Sequence, residues 1–169
     1  MSGLTQQRLK ELLHYDAETG IFTRKVRTAN RTRVGEIVGS RHSGGYVCMC
    51  IDGNKQLAHR LAWLYVHGKF PDEQLDHING DRSDNRLANL REANNKQNQE
   101  NIGLRANNST GFRGVSFNTQ SGKFEAYVQH NGRRIYAGRF EDAEQAASAA
   151  AAKRAQLFTH DTGRDRVAA

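Results

Sequence analysis

Residues 103–111, from Gly103 to Gly111, are polar, bounded by glycine and without apolar periodicity, and this break separates two stretches of different patterning. Beyond it run three alternating segments, Phe112 to Asn118, Lys123 to His130 and Arg133 to Gly138. Ser121-Gly122 and Asn131-Gly132 stand between them, the second pair a strong hairpin signal. A helix is expected from about Asp142 to Leu157. Asp142 and Gln145 have the spacing of a capping box, and Ala143, Ala146, Ala147, Ala150 and Ala151 offer a face small enough to lie on a sheet. Period-two alternation turns Val115, Phe117, Ala126, Val128, Ile135 and Ala137 towards that helix. Ser116, Asn118, Glu125, Tyr127, Gln129, Arg134 and Tyr136 then share the open face.

The first half reads differently. Thr5 can cap a short helix with Leu9, Leu12 and Leu13 on one side, followed by a turn over residues 15–20 and a strand from Ile21 to Val26. Arg24, Lys25, Arg27, Arg31 and Arg33 crowd the next stretch, which reads equally as a solvated loop or as an arm that tracks phosphates. Tyr46 to Ile51 and Lys55 to Leu57 form a hairpin about Asp52-Gly53, then Ala58 to His67 a helix, with Pro71 beyond as a stop. His59, at the start of that helix, reads as a packed or hydrogen-bonded structural residue.

Lys and Arg number 25 against 18 Asp and Glu, a formal charge of +7, which favours a polyanionic partner. Cys48 and Cys50 are the only cysteines; two apart on a strand, they are poorly placed to bridge, no second pair completes a zinc site, and a reducing cytoplasm fits them. No structural zinc is expected. Neither a leader nor an apolar stretch of membrane-spanning length is signalled.

Chemistry concentrates between Leu75 and Asn98. A strand ends in Asp76-His77, a loop follows, a second strand carries Asn89, and a short helix presents Asn98. Phosphodiester hydrolysis needs a base and a cation, and His77 can take a proton near neutral pH. Asp76 and Asn98 offer the hard oxygens that magnesium or manganese prefers. Asn89 can hold the imidazole in one tautomer.

Ala58-His59-Arg60-Leu61-Ala62-Trp63, Asp76-His77, Asp84-Asn85-Arg86 and Asn89-Leu90 together resemble the HNH endonucleases of phages and mobile introns, of the ββα-metal superfamily. The resemblance implies double-stranded DNA as substrate and one divalent cation, Mg or Mn. It assigns Asp76 and Asn98 to the metal, His77 to the general base and Asn89 to orienting it. Asn98 stands where many members have His. The products would be 5′-phosphate and 3′-hydroxyl ends, and the setting a bacterial host cell. A non-catalytic DNA-binding regulator is the alternative; the intact set of Asp76, His77, Asn89 and Asn98 argues against it.

Phe112-Arg113-Gly114-Val115, the run from Gly122 to Ala126, Gly138-Arg139-Phe140 and the run from Ala143 to Ala147 resemble the Apetala-type domain of plant ethylene-response factors. That resemblance implies a sheet face laid in the major groove, with Arg113 at its edge on DNA. The expected class is α+β: a ββα-metal nuclease with an N-terminal β-rich extension over 1–102, a linker over 103–110, a three-stranded sheet on one helix over 111–160, and a tail over 161–169. No dimerisation signal is evident, so a monomer is expected.

Overall fold

The computed structural model describes residues 3–104 and 108–163. The chain folds as two compact units, with the division between Ala93 and Asn94. No helix among the described residues is long and apolar enough to cross a membrane.

In the first unit the Thr5 hydroxyl accepts the Arg8 amide at 3.2 Å and starts α1 (Gln6–Leu12). The chain passes directly into β1 (Leu13–Asp16), paired antiparallel with β2 (Ile21–Arg24), which carries β3 (Ile37–Val38) on its other edge. The turn expected from residue 15 therefore begins two residues later. Leu13 and Tyr15 alternate into the core, and their burial extends the strand. A second sheet holds β4 (Ser40–Arg41), β5 (Val47–Ile51) and β6 (Asn54–Leu57). Asp52 and Gly53 both have positive φ, 46° and 80°, the mirror-image turn whose twist suits a hairpin.

The helix expected after it is α2 (Ala58–His67), which ends at Gly68 in the left-handed region. Leu61, Ala62 and Leu64 of α2 pack with Leu9, Leu12, Leu13, Phe22, Met49 and Ile51 as one core. Last come β7 (Gln74–His77) and β8 (Leu90–Ala93), paired so that Asp76 lies opposite Arg91. Asn89 closes a short 3-10 turn before β8 rather than lying within a strand.

The second unit contains α3 (Asn95–Glu100), then β9 (Val115–Asn118), β10 (Lys123–His130), β11 (Arg133–Phe140) and α4 (Ala143–Leu157). The three strands form one antiparallel sheet with β10 central. Asn131 and Gly132 take φ of 51° and 73°, the expected hairpin turn. Asp142 caps α4 by accepting the amides of Glu144 and Gln145. Ala146 and Ala150 are fully buried against Val115 and Ala126. Phe117, expected under the helix, is half exposed and leans on Phe124 at the rim, 5.0 Å between ring centroids. Gly114 is required where it stands: a Cβ there would lie 2.3 Å from the Tyr127 carbonyl oxygen.

Two differences from the expected segmentation have a clear cause. Helix α3 groups with the second unit because the Glu100 carboxylate is buried there. Its Oε2 accepts the Thr159 amide at 2.8 Å, the Thr159 hydroxyl at 3.1 Å and the His160 amide at 3.2 Å. The expected tail also begins inside the fold. Asp161 bridges two arginines, Arg113 at 3.1 Å and the buried Arg154 at 3.1 Å. Of the expected linker, residues 105–107 lie outside the described residues, as do 164–169 of the tail. Asn108 and Thr110 already belong to a hydrogen-bonded turn, with Asn108 Oδ1 accepting the Gly111 amide at 2.7 Å.

Asp161 neutralises a guanidinium that is 2% exposed, so its removal strands a buried charge. Asp161→Ala should destabilise the second unit by about 3–5 kcal/mol. Denaturant melts of the variant and the parent chain, followed by circular dichroism, measure this directly.

Candidate functional site

His77 ends β7 and is 4% exposed. The loop that follows is held by its own side chains. Asn89 Oδ1 accepts the Asn79 amide at 2.9 Å and Asn89 Nδ2 donates to the Asp84 carbonyl at 2.9 Å. The Asn89 carbonyl accepts from the Ile78 amide at 2.9 Å. Asp84 in turn accepts from Asn79 Nδ2 and from the Arg86 guanidinium, and these bonds press its carboxyl down to about 2. The sequence predicts that Asn89 grips the imidazole; its carboxamide is instead spent on the loop. Asn89 positions His77 through the backbone that leads away from it.

The N-terminal hairpin braces the far end of the same loop. The Tyr15 hydroxyl, raised to about 12 chiefly by burial, donates to the Asn85 carbonyl at 2.7 Å. Leu87 N donates to the Ala17 carbonyl at 3.1 Å. Gly20 lies so close that a Cβ there would sit 2.5 Å from the Arg86 nitrogen. This face of the extension is structural.

Around the imidazole stand His59 at 5.1 Å, edge-on, and Tyr46 at 5.9 Å, measured between ring centroids. Burial lowers the His77 pKa, while the Asn85 side chain and the charges of Asp76, Asp84 and Asp81 oppose the shift. The ring is thereby kept neutral, able to accept a proton, within a field that favours the protonated product. His59 is lowered further, to about 3, by burial first and by His77 second, and its Nδ1 is buried without a hydrogen-bond partner among the described residues.

Asp76, next to His77, is largely buried and held by Arg91, whose Nε and Nη2 donate to Oδ2 at 3.1 and 2.9 Å. Among the described residues no group of three or more His, Cys, Asp or Glu could hold a metal. The oxygen donors that the sequence resemblance names are one carboxylate and one carboxamide. That set suits a hard cation taking its remaining ligands from phosphate and water, and not a thiophilic one. Asn98 lies on α3, whose start is a complete capping box between Asn94 and Gln97.

The open face of the second unit is partly consumed by its own network. Glu125 is buried and accepts from Asn118 Nδ2 at 3.0 Å, the Tyr127 hydroxyl at 2.7 Å and Arg139 at 2.8 Å. Asn118 also caps the following turn by accepting the Gln120 and Ser121 amides. Arg134 lies 3.5 Å above the Tyr127 ring, Tyr136 is 52% exposed beside it, and Gln129 is exposed while Ser116 is half-buried. A register shift between Ala126 and Tyr127 changes the parity of β11, so that Arg139 joins this face opposite Glu125. Strict alternation from Arg134 misses it. Arg113 is not on the open face: it donates to Asp161 at 3.1 Å and to the Glu100 carbonyl at 2.9 Å.

The basic arm is likewise divided. Arg24 is paired with Glu36 at 2.7 Å, Lys25 donates to the Lys10 carbonyl at 2.7 Å, and Arg27 closes on the Asn30 carbonyl at 2.7 Å. Arg31 and Arg33 are exposed, and their side chains make no ion pair among the described residues.

Residues 56–100 match the family model described as HNH endonuclease. The chain carries an HNH domain. No curated protein and no solved structure matches the chain. The match takes in α2, β7, β8 and α3, and so runs across the division after Ala93. Within the HNH segment, Asn85 and Arg91 were not singled out by sequence reasoning. Asn85 was visible only as part of a motif, and Arg91 needed the β7–β8 register. Tyr46 lies outside the matched segment altogether.

The neutral burial of His59 has a consequence for stability. Its folded pKa of about 3 is below the unfolded value of 6.5, so the unfolded chain takes the proton first. Stability from this group is complete above about pH 6.5 and falls as the pH drops towards 3, by up to about 1.4 kcal/mol per pH unit. Chemical denaturation between pH 6.5 and 4 should show a shallower loss in His59→Phe than in the parent, whatever the variant's stability at pH 7. Equal slopes would mean that His59 is protonated in the folded chain.

Proposed function

We propose that this chain is a metal-dependent DNA endonuclease of the homing or nicking type, with His77 as general base. The observation that supports this most is a buried imidazole beside a largely buried carboxylate, both at the start of a loop closed by its own side chains. His77 accepts the proton of a water that attacks phosphorus in line with the departing 3′ oxygen. Burial among His59, Tyr46 and Asn85 keeps competing water from the ring and keeps it deprotonated at neutral pH. Asn89 fixes the direction in which His77 leaves β7, and Arg91 holds the Asp76 carboxylate in one rotamer. A divalent cation, magnesium or manganese, on Asp76 and Asn98 would supply charge neutralisation at the phosphate and the leaving oxygen.

We assign the second unit to reading DNA, in line with the resemblance of its sequence to Apetala-type domains. Its exposed Tyr136, the Arg134–Tyr127 stack and Gln129 can meet base edges, and Arg139 adds a guanidinium. Glu125, Asn118 and Arg113 serve as the frame of that face. Exposed Arg31 and Arg33 are the members of the basic arm best disposed to meet phosphates.

Supercoiled plasmid should be cut with magnesium or manganese and left intact with a chelator. His77→Ala should cut about two to four orders of magnitude more slowly while DNA affinity is retained. Cutting at the parent rate by His77→Ala would rule out this base. With a single centre per monomer, nicked circles should precede linear DNA; linear product with no nicked intermediate would show two coordinated centres. Arg134→Ala should weaken binding by about 1–3 kcal/mol on a preferred site if the guanidinium reads a base edge. A uniform loss on all sequences would reassign it to a phosphate.

A further inference from the structure

The hairpin made by β4 and β5 is latched to the HNH loop by two arginines that cross in opposite directions. Arg41 of β4 donates to the Ser83 hydroxyl at 3.0 Å. Arg82 of the loop donates to the Gly44 carbonyl at 3.0 Å and lies 4.9 Å from the centroid of the Tyr46 ring. Tyr46 itself stands against both His59 and His77. Gly45 takes a positive φ of 85° in the turn that brings these groups together, closed by the His42 amide on the Tyr46 carbonyl at 2.7 Å.

The two guanidiniums differ in what surrounds them. The Asp81 carboxyl is lowered chiefly by the Ser83 hydroxyl and amide that it accepts, and the nearby charge of Arg41 adds to this. Asp84, the other acid of the loop, is taken by Arg86 at 2.6 Å. Arg82 is exposed and forms no ion pair among the described residues. A carbonyl and an aromatic face hold it, and neither cancels its charge. Such a group loses little freedom when an anion arrives and presents its remaining N–H donors as a planar fork.

We propose that Arg82, seated on Tyr46 one ring away from His77, binds a backbone phosphate of DNA adjacent to the one that is cut. The assignment rests on the nuclease reading for which phosphate is meant, while the anion site itself rests on the geometry of the latch. Tyr46 then has two duties: it shields His77 on one side and carries the phosphate-binding guanidinium on the other. Because Tyr46 lies outside residues 56–100, this part of the site comes from the N-terminal extension and not from the matched segment.

The test is binding without cutting. Affinity of the full chain for a short mixed-sequence duplex is measured with a chelator present, across a series of salt concentrations. Arg82→Gln, shorter than the parent side chain, removes the charge and also gives up the Gly44 carbonyl. It should lower the slope of log K against log salt by about one unit, while Arg82→Lys should restore it. Thermal melts of all three proteins should show a small loss at most, since the latch contact belongs to an exposed residue. An unchanged slope in Arg82→Gln overturns the phosphate site even if the parent cuts DNA. A parent that cuts nothing with any cation, while the slope still falls, leaves the phosphate site standing and removes the nuclease reading.

Discussion

One carboxamide governs the geometry of this site. Asn89 receives the Asn79 amide and returns a hydrogen to the Asp84 carbonyl, so one side chain joins the start of the loop between the two strands to its middle. His77 is the last residue of its strand, and where the backbone turns next decides where the imidazole lies. Asp84, Asn85 and Arg86 inherit their positions from the same closure. A neutral amide suits the task because it donates and accepts at once without bringing charge into a place where three carboxylates already gather.

The hairpins, the caps and α2 were legible in the sequence because they depend on neighbours a few residues away. Asp52-Gly53 and Asn131-Gly132 specify their turns locally, and Asp142 caps α4 as its spacing implies. Asp76 and His77 were legible as a pair for the same reason. What escaped depends on partners distant along the chain. Arg91 touches Asp76 only through strand pairing, and Tyr15 reaches Asn85 across 70 positions. The resemblance places Arg113 on DNA at the sheet edge, and nothing in its own segment announces Asp161. Arg139 was missed because a bulge changes the face on which later residues emerge, and period-two counting has no means of seeing one.

Electrostatics in the site work by opposition. Burial drives His77 towards neutrality, and the acids around it pull the other way, so the imidazole is set between two influences of different origin. Arg91 and Arg86 each occupy one of those acids. The loop is therefore close to charge balance on its own. Charges with no ion partner among the described residues remain on Arg82 and on the exposed Arg31 and Arg33 of the basic arm.

Helix α3 has consequences for how such chains can be rebuilt. It falls inside the segment that matches HNH endonucleases, yet Oε2 of its Glu100 is held by Thr159 and His160 at the far end of the second unit. A crossover in the glycine-bounded stretch that looks like a seam would separate a carboxylate from the donors that make its burial tolerable. Joining a different C-terminal unit to this segment thus demands either a compatible threonine-bearing terminus or a substitution at Glu100. The natural unit of exchange is larger than the apparent module and begins before α3.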